Sequence, residues 1–255
     1  MSFEDEQTKG AESPTAKILA IVTAIASQPG SGLTAIAQQT GLPKATVHRI
    51  VGELERLDWI HRSPGQHGLG VGSSLLRTAL DTVHARFKQT VANTILRNLA
   101  EELGETCTVG IADGSEVVFL ETVQPAHPIS FVFPKRSRAP LYCSSTGRVF
   151  LAEMSEEAFE RYLEVSVREK FTPHTTVDPA ILRQIIEGVR KNGYAKTNNE
   201  WVMHVVGAAV PIRDTRGRCI AALTFSAPDV RISYSAVDAL VPKLRDAAKQ
   251  LEREL

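Results

Sequence analysis

At 255 residues, 43% hydrophobic and 23% charged, the chain has the balance of an ordinary globular protein, with room for one large or two modest domains. A formal net charge of zero excludes nucleic-acid binding by bulk attraction alone. No apolar run approaches the ~18 residues of a membrane span, and the acidic, polar start MSFEDEQTKG is unlike a signal peptide.

Residues 1–14 carry four acids against one Lys and are expected to form a flexible, solvated arm. From Thr15 to Ser27 a helix is predicted, with Ile18, Leu19, Ile21, Val22 and Ile25 as its apolar side. The stretch from Leu33 to Leu57 reads as two helices meeting at a sharp turn. Ile36 and the small Ala37 supply the apolar side of the first. Gly41 stands where the chain reverses, a position suited to positive φ, and Pro43 is expected at the first position of the second helix. There Val47, Ile50, Val51, Leu54 and Leu57 recur at spacings of three and four, while Lys44, Ala45, Thr46, His48 and Arg49 share the opposite face. This is the helix-turn-helix pattern, whose second helix enters the DNA major groove. Trp59 to Arg62, a turn-rich segment from Ser63 to Gly68, and Leu69 to Val71 read as a β-hairpin wing. From Thr15 to Gly72 there are five Lys or Arg against three acids. So weak a charge excess requires a dimer to double the phosphate contacts.

Beyond the wing, Ser73 to Phe87 predicts a helix with Leu75, Leu76, Ala79, Leu80 and Val83 on one side, and its position makes it a domain linker. A second helix is predicted from Thr90 to Leu103, with Val91, Ile95, Leu96 and Leu99 together and Gly104 as its C-cap. Thr106–Ala112 and Glu116–Thr122 flank the hairpin signal Asp113-Gly114, and Ile129–Phe133 reads as a short strand. Helices follow at Ser145–Met154, Glu156–Leu163 and from Asp178-Pro179 to Asn192-Gly193. Strands are predicted at Tyr194–Asn198, Val206–Ile212 and Cys219–Phe225, with a turn at 214–217 and a last amphipathic helix from Ser233 to Leu255. Hairpins with helices between them give an α+β class. Cys107, Cys143 and Cys219 are odd in number and widely spaced, as reduced cytoplasmic thiols would be.

The segment LTAIAQQTGLPKATVHRIVGELERLDWI resembles the DNA-binding end of the IclR family of bacterial transcription regulators. APLYCSSTGRVFLA, NGYAKTNNEW and GAAVPIRDTRGRCIAALTFSAP resemble that family's later segments in the same order, over about residues 16–228. The wing departs from the family in lacking the usual aromatic residue of its return strand, having Gln66-His67-Gly68 before Leu69, and Trp201-Val202-Met203 is peculiar to this chain. The resemblance implies an N-terminal winged helix-turn-helix at 15–72, a linker helix at 73–87 and a GAF-like effector-binding and oligomerising domain at 88–255. It further implies a homodimer or dimer of dimers on a pseudo-palindromic double-stranded DNA operator. Such a protein represses or activates a catabolic operon, answers a small organic acid, aromatic or short-chain, and has RNA polymerase as a further partner. Neither a cofactor nor a membrane is expected.

Lys44, Ala45, Thr46, His48 and Arg49 are the candidate base readers, since bidentate Arg–guanine is the commonest specific contact. Ser31, Thr34, His61 and Arg62 are better placed for phosphates. Ser144, Ser145 and Thr146 sit at a helix N-terminus, where N–H groups favour a carboxylate. Asn198, Asn199 and Glu200 follow a strand, and Thr224 and Ser226 alternate along the last strand so that both hydroxyls face one way. Phe131 and Phe133 are candidates to wall the pocket. Glu200 is left open, because a carboxylate repels an acid unless it is protonated or turned away. Two other readings stand beside this one. The C-terminal half of a DNA-binding adaptor would only oligomerise, and an enzyme would use Cys143 or Ser144 with His127, His174 or His204. No ligand spacing among the Cys and His residues marks a metal site.

Overall fold

A computed structural model describes residues 13–62, 68–88, 91–125 and 137–254, with the backbone alone at residues 80 and 83–88. The chain divides into two compact units, residues 1–83 and 84–255. The arm expected at 1–14 falls almost wholly outside the described residues, as do Ile129–Phe133, most of the wing turn, and His127.

In the first unit, helix α1 (Pro14–Ser27) opens with Ser13 as its N-cap, the hydroxyl accepting from the Ala16 N–H at 3.0 Å. Ile21, Ala24 and Ile25 are its buried residues. Ile18 and Leu19, expected on that face, are 39% and 59% exposed. Periodicity locates a stripe but not its tilt, and the seam here is centred one position later. Helix α2 (Leu33–Thr40) ends at Gly41 with φ +67°, as the turn requires. Pro43 has ψ 136° and is the N-cap, so helix α3 runs Lys44–Arg56 rather than starting at the proline. Val47, Ile50, Val51 and Leu54 are buried against α1 and α2, but Leu57 is 58% exposed. The helix has ended at Arg56, and Asp58, at φ +57°, turns the chain away from the stripe.

The wing is β1 (Ile60–Arg62) antiparallel to β2 (Leu69–Val71), with Ile60 opposite Val71. Its return strand is tied to the α1–α2 turn through Gly30 N–H to Leu69 O, 2.9 Å, and Leu69 N–H to Ser31 O, 3.0 Å. A Cβ on Gly68 would come within 2.2 Å of Gly30 O, so only glycine permits this approach. The wing is therefore held by backbone contact to the helices rather than by an aromatic anchor. Helix α4 (Ser73–Lys88) follows.

In the second unit, α5 (Val91–Leu103) leads into a six-stranded antiparallel sheet of order β5-β4-β3-β8-β7-β6. Its strands are β3 (Thr106–Asp113), β4 (Glu116–Val123), β5 (Arg138–Pro140), β6 (Ala195–Asn198), β7 (Val205–Arg213) and β8 (Cys219–Pro228). Asp113 pairs with Glu116, so the hairpin loop is Gly114-Ser115 and Asp113 belongs to the strand, one residue off the expected turn. The edge strand β5 was not expected, because three residues are too short for a period-2 signal. Val91, expected inside, is 54% exposed at the first position of α5.

Helices cover both sides of the sheet. One core joins Leu96 and Leu99 of α5 to Val206, Val210, Leu223 and Phe225, and to Leu244 and Leu251 of α9 (Val241–Glu252). The other joins Phe119, Ala209 and Ala222 to α6 (Ser145–Glu153), α7 (Glu156–Val165) and α8 (Pro179–Asn192). The last helix was expected from Ser233, but a short 3-10 turn at Val237–Leu240 precedes α9. Pro242 lacks an N–H and is tolerated only in a helix's first turn, which sets that start. The α+β class stands, with both faces of the antiparallel sheet buried.

Candidate functional sites

On the first unit, Lys44, Ala45, His48 and Arg49 are exposed along the first turns of α3 and Thr46 is half-buried. Among the described residues, no acid lies within ion-pair distance of Lys44, His48 or Arg49. Pro43 offers no side-chain cap and the first turn has no acid, so the positive end of the helix dipole faces outward with Lys44. Thr34 is exposed and Ser31 half-buried. His61 is exposed, its Nδ1 3.0 Å from Val71 O. Arg62 is exposed but already engaged by Glu55, Nε to Oε1 at 2.6 Å and Nη2 to Oε2 at 3.3 Å. It would have to exchange that carboxylate for a phosphate.

On the second unit a cavity of about 30 Å³ opens at the N-terminus of α6. Its lining includes Ser144, Ser145, Thr146, Glu200, Thr224 and Ser226, brought together from the three segments named from sequence. Phe119, Thr197, Trp201, Val202 and Val205 complete it. Asn198 and Asn199 are not among the lining residues. Strand parity explains this: Ala195 belongs to the α6 side of the sheet, so Thr197 faces the cavity and Asn198 does not. Asn199, at φ +58°, instead donates from Nδ2 to Asn198 Oδ1 at 2.9 Å and Asp229 Oδ2 at 3.2 Å. Phe131 and Phe133 lie outside the described residues.

The polar atoms of the cavity divide into those already used and those available. Ser144 is the α6 N-cap, its hydroxyl donating to Pro140 O at 2.7 Å and accepting from the Gly147 N–H at 3.1 Å. That leaves it as a cap. Thr224 donates to Ala208 O at 2.9 Å and sits 3.2 Å from the Ser145 hydroxyl. Among the described residues, the hydroxyls of Thr146, Thr197 and Ser226 meet no hydrogen-bond partner, and neither do the first two helical N–H groups, of Ser145 and Thr146. Thr146 is only 1% exposed. An anion placed here would find N–H and O–H donors and the positive end of a helix.

Glu200 is answered by a residue the sequence reading did not single out. Arg148, 2% exposed, meets both carboxylate oxygens of Glu200: Nη1 donates to Oε1 at 2.7 Å and Nη2 to Oε2. It also donates to Tyr142 O at 2.9 Å and Lys196 O at 3.3 Å. The carboxylate at the cavity wall is thus neutralised in a buried bidentate pair. Gly147 beside it is obligatory, since a Cβ there would come within 2.3 Å of Leu141 Cα. Burial pushes the Cys143 thiol up to about 12, so it is not a ready nucleophile.

A family model for the IclR helix-turn-helix domain matches residues 14–64, and one for the bacterial transcriptional regulator IclR C-terminal matches residues 82–253. The chain belongs to the IclR family. The transcriptional repressor IclR of Escherichia coli (strain K12) is 32% identical over 239 residues, covering 89% of this chain and 84% of the relative. A solved IclR homolog from Microbacterium hydrocarbonoxydans, in complex with 4-hydroxybenzoate, matches with a TM-score of 0.60 at 27% identity, over 93% of this chain and 98% of that one. The inducer-binding domain of the PobR transcription factor from Acinetobacter, a double mutant with 3-hydroxybenzoic acid, matches with a TM-score of 0.60 at 26% identity. That match covers 65% of this chain and 97% of the domain. As an IclR-type regulator the chain carries a DNA-binding N-terminal unit and a ligand-binding C-terminal one, and is not an enzyme. No helix among the described residues is long and apolar enough to cross a membrane.

Proposed function

We propose that this regulator binds a pseudo-palindromic operator as a homodimer or dimer of dimers in the cytoplasm and controls a catabolic operon, with RNA polymerase as a partner. The switch is a small organic acid bound in the cavity at the α6 N-terminus. Residues 15–72 form the DNA-binding domain, 73–87 the linker helix and 88–255 the effector-binding and oligomerising domain. Lys44, Ala45, Thr46, His48 and Arg49 read bases, and Ser31, Thr34, His61 and Arg62 meet phosphates.

One observation carries the choice of an acid. Glu200, the carboxylate lining the cavity, is bound by Arg148, while the N–H groups of Ser145 and Thr146 and the hydroxyls of Thr146, Thr197 and Ser226 remain to receive an anion. The two neighbours solved with hydroxybenzoates support the same ligand class. A bound acid alters operator affinity only if it binds the two states of the regulator unequally, with a coupling of typically ~1–3 kcal/mol.

The test is calorimetry on the full chain with a panel of organic acids. Ser226→Ala should weaken the acid about tenfold, ~1.4 kcal/mol for one hydrogen bond, while Asn198→Ala leaves its affinity unchanged. An acid whose affinity is indifferent to Ser226 binds somewhere else.

A further inference from the structure

The cavity beside α6 measures about 30 Å³. One water needs roughly 10–15 Å³ of such space, whereas a cavity of about 150 Å³ accepts benzene. The room between Phe119, Trp201 and the first turn of α6 therefore suits a carboxylate with a short tail and falls several-fold short of an aromatic ring. Trp201 forms part of the wall. Its ring lies 6.2 Å from that of Phe119, centroid to centroid, at an interplanar angle of 46°, a separation typical of paired aromatics.

The connection that carries Trp201, residues 199–204, is fixed on three sides. Glu200 is held by Arg148. The carbonyl oxygens of Asn199 and Glu200 accept from the hydroxyls of Thr172 and Thr175, each at 2.6 Å. Asn199 and His204, both with left-handed backbone at φ +58° and +62°, meet Asp229 Oδ2 at 3.2 and 3.3 Å. Swinging the indole aside by moving this connection would break a buried ion pair and several hydrogen bonds, so the ring's position is built in. In the first turn of α6, Thr146 is only 1% exposed and lines the cavity, and its hydroxyl has no partner among the described residues, so it is free to donate to a carboxylate there.

Resting on the reading of this cavity as the effector pocket, we propose that Trp201 is the specificity-determining residue of this regulator, limiting its ligand to carboxylic acids of two or three carbons and excluding aromatic acids. This separates the chain from the two neighbours solved with hydroxybenzoates.

Trp59 and Trp201 are the two tryptophans of the chain, so Trp59→Phe makes Trp201 the sole emitter in the full-length protein. Acetate, glycolate, lactate, benzoate and 4-hydroxybenzoate are titrated by fluorescence and by calorimetry. A two- or three-carbon acid should saturate and shift the Trp201 emission, with both benzoates at least about tenfold weaker. Trp201→Ala, which vacates a space larger than a six-membered ring, should reverse that order. Trp201→Phe, which keeps an aromatic contact to Phe119, should narrow the gap, and it serves if the alanine variant does not fold. Benzoate binding the unsubstituted protein as tightly as the short acids overturns the proposal. So does a short-acid preference that both variants retain, in which case the pocket reading survives. If no acid of either class binds any of the proteins, the pocket reading fails as well.

Discussion

Replacing Arg148 by Ala tests the electrostatic design of the pocket most directly. The guanidinium makes four hydrogen bonds, two to Glu200 and one each to Tyr142 O and Lys196 O, while being 2% exposed. Without it, Glu200 keeps only the Thr176 N–H at 3.4 Å as donor and remains 8% exposed. Removing one partner of a buried pair typically costs ~3–5 kcal/mol, because the stranded charge cannot regain its hydration. Against the ~5–15 kcal/mol that holds a typical domain folded, this is a large share. Urea denaturation followed by circular dichroism should show the midpoint falling sharply. Arg148→Met combined with Glu200→Leu should recover most of the loss, since neither charge is then left unpaired. A loss below ~1 kcal/mol for Arg148→Ala alone, or a double variant no more stable than the single one, would refute the account of Glu200 as a neutralised strut.

Three further outcomes are expected. Arg49→Ala should weaken specific operator binding by ~1–3 kcal/mol with the fold intact, read by gel shift, and unchanged affinity would remove Arg49 from the readout set. Glu55→Gln should release Arg62 for a phosphate, raising affinity for specific and nonspecific DNA alike and steepening the salt dependence by about one phosphate contact per subunit; a salt slope that stays the same would place Arg62 off the backbone. Cys143 should resist iodoacetamide at neutral pH while the protein is folded and react once it is denatured, because burial both hides the thiol and holds its ionisation up at about 12. Alkylation of the folded protein at the rate of a free thiol would contradict that.

The features legible in the sequence are those with local causes. Gly41 marks its own turn, the spacing of Val47, Ile50, Val51 and Leu54 marks its own helix, and Ser144, Ser145 and Thr146 mark a helix start. Thr224 and Ser226 follow from alternation alone. Ile18 and Leu19 are exposed because periodicity does not give the tilt of a stripe against its neighbours, and Leu57 because the helix ends one residue before it. Thr197 rather than Asn198 lines the cavity because Ala195 sets that face of the strand, which alternation alone gives. Arg148 was beyond reach, since its partner Glu200 lies 52 residues further on and only the fold places them together. Phe119 and Trp201 meet for the same nonlocal reason, across 82 residues.

Strand β8 has no free side. Thr224 and Ser226 stand in the cavity wall, while Leu223 and Phe225, between and beside them, are locked into the layer formed with Leu96 and Leu244. A close-packed interior passes a displacement on rather than absorbing it. A molecule wedged against the front of this strand therefore leans, through one thickness of polypeptide, on the layer behind it, where α9 packs on β7 and β8 and α5 packs on β3 and against α9. The sheet is less a floor under the ligand than a diaphragm, and pressure on one side is felt in the helical layer on the other. Substitutions such as Leu96→Val or Leu244→Val, which touch no ligand, lie on that load path and not beside it.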